Sequence, residues 1–306
     1  MQKRPPATVQ PPREQRRGDQ REEDQRDELD EPAPPIVELK QREHAEADQR
    51  SAVRAPVVYE AIRREGEDEL RRPARALAWS GFAAGLSMGF SLVTQGLLRA
   101  GLPNAPWRPL VANLGYSVGF LIVILGRQQL FTENTLTVIL PLLSRRSGAV
   151  LARVARLWVV VLVANLAGAL LFAWVVGNTD VFRAAPRQAF HEIGRDALTG
   201  GFGTVVLRGI FAGWLIALMV WLLPAAEAAR VQIIIIITYI VGLAGLAHII
   251  AGSVEVLYLV TTGDASWLDF LGRFMLPTLI GNIIGGVSLV AALNHAQVVA
   301  GSATAP

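Results

Sequence analysis

The chain has 306 residues, of which 52% are hydrophobic and only 18% charged, with a mean hydropathy of +0.36. Residues 76–306 carry 13 Arg and 8 acidic residues, too few to cover a water-soluble surface, and this excludes a soluble enzyme. The net charge of +3 is spread as single cations between apolar runs, which excludes a nucleic-acid partner, and the absence of cysteine removes disulfides, thiolate metal sites and thiol catalysis.

Residues 1–54 form a polar tract with Pro clusters and mixed-sign charge, read as a disordered tail because so little apolar surface cannot offset ordering entropy. The tract has no apolar core of a signal peptide. Residues 55–74 are expected to form a short amphipathic helix with Val57, Val58, Ala61 and Ile62 on one side. It either docks on a membrane surface or stays solvated. Apolar runs of membrane-spanning length then recur over 75–296, and predict six transmembrane helices near 76–98, 109–143, 150–176, 203–223, 231–259 and 268–296. Residues 297–306 form a C-terminal tail. An even count puts both termini on one side, and the arginine bias favours the cytoplasm for that side.

The transmembrane part repeats itself. Gly81-Phe82-Ala83-Ala84-Gly85 in the first helix matches Gly209-Ile210-Phe211-Ala212-Gly213 in the fourth. Ala164-Asn165-Leu166-Ala167-Gly168 in the third matches Gly281-Asn282-Ile283-Ile284-Gly285 in the sixth. Small residues at this spacing also serve ordinary helix packing, the role expected for Gly81, Gly85, Gly209, Gly281 and Gly285. With three helices per half, the second copy is inserted upside down. The predicted class is therefore an all-α membrane protein with an inverted 3+3 repeat.

The middle helix of each half is interrupted. The first break runs from Gly126 through Arg127, Leu130, Phe131, Thr132 and Glu133, and the second centres on His248 between Gly242 and Gly252. Thr132 and His248 stand at equivalent places in this alignment. Irregular backbone at membrane depth is tolerated only inside protein or along a watery path, and paired breaks in inverted repeats point to a solute site near the midplane. A transporter or channel follows. His248 can donate a hydrogen bond to an anion or exchange a proton with it, or can be a packing residue. Thr132 can contact solute or satisfy a freed carbonyl. Arg127 and Glu133 are expected to pair across the first break, Glu255 to be structural, and Phe120 to form an apolar constriction. An intramembrane hydrolase built on His248 and Glu255 has no nucleophile with a positioned base.

At these breaks the chain resembles the formate/nitrite transporter family. Leu130-Phe131-Thr132 is similar to the family's second-helix loop, Ala247-His248-Ile249-Ile250-Ala251 to its histidine-bearing break, and Gly281-Asn282-Ile283-Ile284-Gly285-Gly286 to its sixth-helix signature. The strings RQQLFTENT and HIIAGSVEVLYLV look most like the YfdC-type branch. The resemblance implies an aquaporin-like protomer in a bacterial inner membrane, a homopentamer with one pore per subunit, and small monovalent anions or their neutral acids as solutes. No cofactor or metal is implied. Formate channels of the family have asparagines where this chain reads Gly213 and Gly252, and an acid where it reads Ala247. Both glycines are therefore expected along the substrate pathway, favouring a larger or less hydrated solute over formate, unless they serve packing. A neutral-solute channel and a non-transporting scaffold remain as alternatives.

Overall fold

The computed structural model describes residues 53–302, so the tail read over 1–54 lies almost wholly outside the described residues. Every described element is helical. Helix α1 is Ala55–Arg71, with Pro56 in its first turn where the missing N–H costs nothing. Then follow α2 (Ala74–Gly101), α3 (Arg108–Leu125), α4 (Asn134–Thr137), α5 (Ile139–Arg145) and α6 (Gly148–Asn178). The second part contains α7 (Ala184–Ala197), α8 (Phe202–Leu222), α9 (Arg230–Leu243) and α10 (Ala251–Thr262). The final stretch comprises a π-helical segment Asp269–Met275, α11 (Leu276–Ile283), a second π-helical segment Ile284–Ala292 and α12 (Leu293–Ser302). Among the described residues, five helices are long and apolar enough to cross a membrane: Ala74–Gly101, Arg108–Leu125, Gly148–Asn178, Phe202–Ala225 and Asp269–Gln297.

Glycine seams bring the long helices together. A side chain at Gly85 would overlap the Asn165 carbonyl, and one at Gly168 the Phe82 carbonyl, so α2 and α6 meet backbone to backbone. The second seam joins α8 to α11. There Gly209 faces the Thr278 carbonyl, Gly213 the Asn282 backbone, Gly281 the Val206 carbonyl and Gly285 the Ile210 carbonyl. Such approaches replace the hydrophobic drive that lipid cannot supply between helices.

Helix α1 neither floats on a membrane surface nor stands in solvent. Val58, Tyr59, Ile62 and Leu70 are buried against the protein, while Val57 is 58% exposed. The Tyr59 hydroxyl hydrogen-bonds Ser144 at 3.0 Å and His295 Nδ1 at 2.7 Å. Glu67 accepts from Arg145 at 2.7 Å. Burial opposes its charge, but Arg145 and Arg63 hold the Glu67 carboxyl below its ordinary range. Gly66 lets α1 close onto the Thr137 carbonyl.

The sequence reading also missed α7. Its Ala189, Phe190 and Ile193 are buried between α2 and α10, and Phe190 stacks edge-on with Tyr258 at 5.8 Å.

Gly85→Ala is expected to destabilise the protein by about 1–3 kcal/mol through overpacking. Gly203→Ala, where a methyl meets nothing within 4 Å, is expected to be neutral or to stabilise by up to about 1 kcal/mol through helix propensity. Thermal denaturation in detergent measures both.

Candidate functional site

Each break begins as a helix end of the same construction. After α3, Arg127 takes φ 53° and Gln128 N–H reaches back to the Val123 carbonyl at 3.0 Å. After α9, Gly245 takes φ 60° and Leu246 N–H reaches the Val241 carbonyl at 3.0 Å. Both close the helix with the left-handed residue and long-range bond of a Schellman end.

An asparagine then holds each loop. Asn165 Nδ2 donates to the Gly81 carbonyl at 2.7 Å and the Gln129 carbonyl at 2.9 Å, and its Oδ1 accepts from Phe131 N–H at 3.0 Å. Asn282 Nδ2 donates to the Gly209 carbonyl at 2.9 Å and the Ala247 carbonyl at 2.8 Å, and its Oδ1 accepts from Ile249 N–H at 2.9 Å. Both residues are 0% exposed. These bonds set the register between the halves: Gln129, Leu130 and Phe131 match Ala247, His248 and Ile249. The alignment of Thr132 with His248 is therefore corrected by two residues, and Leu130 is the counterpart of the histidine.

Thr132 and His248 nevertheless meet. Thr132 Oγ1 lies 2.8 Å from His248 Nε2. The other ring nitrogen, Nδ1, accepts from the N–H groups of Ile250 at 3.3 Å and Ala251 at 3.2 Å, at the start of α10. Two donors on Nδ1 assign the imidazole proton to Nε2, which donates to Thr132. The Phe120 ring stands edge-on to the histidine with centroids 4.9 Å apart.

Two cavities flank this group. On the α7 side a cavity of ≈ 100 Å³ is lined by residues including Tyr116, Asp196, Arg208, His248, Gly252, Glu255 and Phe274. On the α1 side one of ≈ 330 Å³ is lined by residues including Glu65, Glu69, Arg72, Ile124, Arg127, Gln129, Glu133 and Arg230. Tyr116, Phe120 and Ile124 are spaced at four residues and share one face of α3. Tyr116 lines the first cavity and Ile124 the second, which leaves Phe120 between them, fully buried. The Tyr-x3-Phe-x3-Ile spacing is a readable signal for this face, as is the charge of Arg208 at the start of an apolar run, whereas Asp196 and Phe274 carry none.

Several expectations are corrected. Arg127 pairs with Glu65 of α1 at 3.3 Å rather than with Glu133, whose carboxyl meets no cation within bonding distance among the described residues. Gly213 lines neither of these two cavities; it is a packing residue, pressed on the Asn282 backbone. Gly252 does line the smaller cavity, but the Phe274 ring fills the space an asparagine would take. Phe131 turns away from both cavities, its ring edge-on to Trp158 at 5.7 Å. Glu255 is a cavity-lining residue as well as part of the packed helix α10.

Gly213→Asn is expected to cost at least about 2 kcal/mol by overpacking and to impair assembly, and Gly252→Asn is expected to assemble normally only when combined with Phe274→Ala. Size-exclusion chromatography and thermal denaturation of the variants measure this.

A family model, formate/nitrite transporter, matches residues 56–296. The inner membrane protein YfdC of Escherichia coli (strain K12) is 46% identical over 245 residues, which cover 80% of this chain and 79% of that protein. The formate channel BtFdhC of Bacillus thuringiensis is 27% identical over 241 residues, 76% of this chain and 91% of that one. Among solved structures, a pentameric formate channel with formate bound has a TM-score of 0.65 at 22% identity, covering 74% of this chain and 98% of that chain. An FNT family ion channel has a TM-score of 0.68 at 20% identity, covering 79% and 99%. The structural likeness carries the fold and the family model carries membership. The chain belongs to the formate/nitrite transporter family and is a membrane channel for small anions.

Proposed function

We propose that the solute is a small monovalent anion of a weak acid, which crosses the narrow part of the protein as the neutral acid. The single observation carrying this reading is the Thr132–His248 bond at 2.8 Å between two cavities, with Phe120 beside it. The cavity on the α7 side includes Arg208, and a neighbouring hollow of ≈ 290 Å³ adds Arg99 and Arg108. The cavity on the α1 side includes Arg72, Arg127 and Arg230. Acids accompany these cations. On the α1 side Glu65, Glu69 and Glu133 balance the three arginines, Arg72 bonding Glu69 and Arg127 bonding Glu65. On the α7 side Arg99, Arg108 and Arg208 outnumber Asp196 and Glu255, so the pull on an anion lies on that side. Charged groups stand at both mouths. None lies between them on Phe120, Leu130, Thr132 or His248, where an unpaired charge in an apolar setting is costly. A neutral acid carries its proton across that stretch and offers both a donor and an acceptor to the Thr132–His248 pair.

The architecture supports six spanning segments in two inverted halves. Besides the five long helices, the broken pair α9 and α10 supplies one more crossing, and the two asparagine-held loops are its internal signature. In this reading Leu130, Thr132, His248 and Phe120 form the narrow path, and Gly252 borders it. Asn165, Asn282 and the seam glycines hold its shape. The subunit assembles as a homopentamer in a bacterial inner membrane with α1 and both termini on the cytoplasmic side. The pentameric formate channel of the same fold supports that assembly.

In proteoliposomes, uptake of formate at fixed total concentration is expected to rise as pH falls from about 8 to about 5, with matching acidification of the interior, because each formate crosses with one proton, and protons become more available as pH falls. Thr132→Val is expected to slow uptake about tenfold, the loss of one hydrogen bond of about 1.4 kcal/mol. Electrogenic uptake with no acidification contradicts neutral-acid passage. A parent that moves formamide or urea but no weak acid favours the neutral-solute alternative.

A further inference from the structure

Glu255 stands out among the ionisable groups that no packing role absorbs. It lies on α10, seven residues after His248, and is 8% exposed. Its carboxyl has no ion pair or hydrogen bond among the described residues, yet it lines the same ≈ 100 Å³ cavity as His248 and Gly252. The backbone around it is fixed. Gly194 of α7 packs on the Glu255 carbonyl, and Gly252 of the same helix sits under the Phe274 ring. From the elements packed around α10, the titratable and charged groups facing the cavity are Tyr116 of α3, Asp196 of α7, Arg208 of α8 and His248 of the break. Arg208 is held by the Thr199 carbonyl at 2.9 Å.

The chemistry of these groups differs. His248 has both ring nitrogens committed, one to backbone N–H groups and one to Thr132. Moving a proton through it breaks at least one of those bonds. Glu255 has no such commitment. A buried carboxylate without cation or donor is costly, and a proton is the counter-ion that needs least room. A group of this kind beside a narrow path is a functional candidate by its position.

We propose that Glu255 is the proton-exchanging group of the cavity on the α7 side, and this rests on the weak-acid reading above. An anion drawn into the cavity takes the proton of the Glu255 carboxyl, forming the neutral acid and leaving a carboxylate. The neutral acid moves past His248 and Thr132. The carboxylate regains a proton from the outer solution, passed on through water in the cavity mouth, so that one proton is taken from that side for each anion. In the outward direction the steps reverse, and the proton returns to the carboxylate before the anion leaves. No other reactant is required.

The test compares the parent, Glu255→Gln and Glu255→Asp in proteoliposomes, with formate and formamide as solutes. Near pH 5, where the neutral share in bulk water is about a thousandfold larger than near pH 8, parent and Glu255→Gln are expected to differ little. Near pH 8, formate uptake by Glu255→Gln is expected to fall at least about tenfold, tracking the bulk neutral acid, while Glu255→Asp keeps part of the parent's profile. Formamide uptake is expected to be unchanged in both. An unchanged pH profile in Glu255→Gln overturns the role, as does an equal loss at all pH values and for formamide. If Glu255→Gln fails to assemble, infrared difference spectra of the parent decide the matter. Formate at constant pH is expected to diminish a protonated-carboxyl band that survives in Glu133→Gln, and formamide is expected to leave it intact; no formate-specific loss overturns the proposal. A parent that moves formamide but no weak acid overturns both readings, whereas a parent that moves weak acids without dependence on Glu255 overturns this one alone.

Discussion

An interrupted helix in an apolar setting exposes backbone N–H and C=O groups that water cannot reach, each at a cost of several kcal/mol in hydrocarbon. The structure resolves this twice with one device, a buried asparagine whose carboxamide satisfies two carbonyls and one N–H. Asn165 closes the loop at Gln129–Phe131 and Asn282 the loop at Ala247–Ile249. The third bond of each ties the loop to a long helix at Gly81 or Gly209. At those places the asparagine-bearing helix approaches closely, and a β-carbon would sit at the tight limit of contact, 3.0 Å from Ala164 Cβ at Gly81 and 3.0 Å from the Thr278 carbonyl at Gly209. The seams and the loops are thus one construction, since the seams bring the carboxamides within reach.

The same device fixes the chemistry between the loops. With Ile249 held by Asn282, the N–H groups of Ile250 and Ala251 turn onto His248 Nδ1, which sends the Nε2 proton toward Thr132. The hydroxyl and the imidazole come from different halves of the chain, 116 residues apart. Their meeting therefore depends on both loops keeping their shape. The cavities follow from the breaks as well, because helix ends that stop short leave space which α1 borders on one side and α7 on the other.

Much of this was legible in the sequence. The long apolar runs, the two GxxxG segments, both asparagines and both breaks carry strong local signals, and the structure uses each of them. The register between the breaks was misread by two residues because spacing to the asparagines is uneven in the two halves, and only the hydrogen bonds decide it. Helix α7 was missed since its apolar residues, Ala189, Phe190 and Ile193, are few and set among charges. The partner of Arg127 was misjudged because α1 folds back over the break, a contact between distant residues that no local pattern encodes. Gly213 allows two readings in the sequence, a place along the path or close packing, and the helix opposite decides for packing.

The claim that the asparagines hold the loops is tested most directly by amide hydrogen exchange in detergent on the parent and Asn282→Ala. Phe131 and Ile249 N–H are both expected to be strongly protected in the parent. In Asn282→Ala, protection of Ile249 should fall at least about tenfold, the loss of one bond and its buried acceptor, while Phe131 stays protected by Asn165. Unchanged protection of Ile249 in an assembled variant would contradict the account.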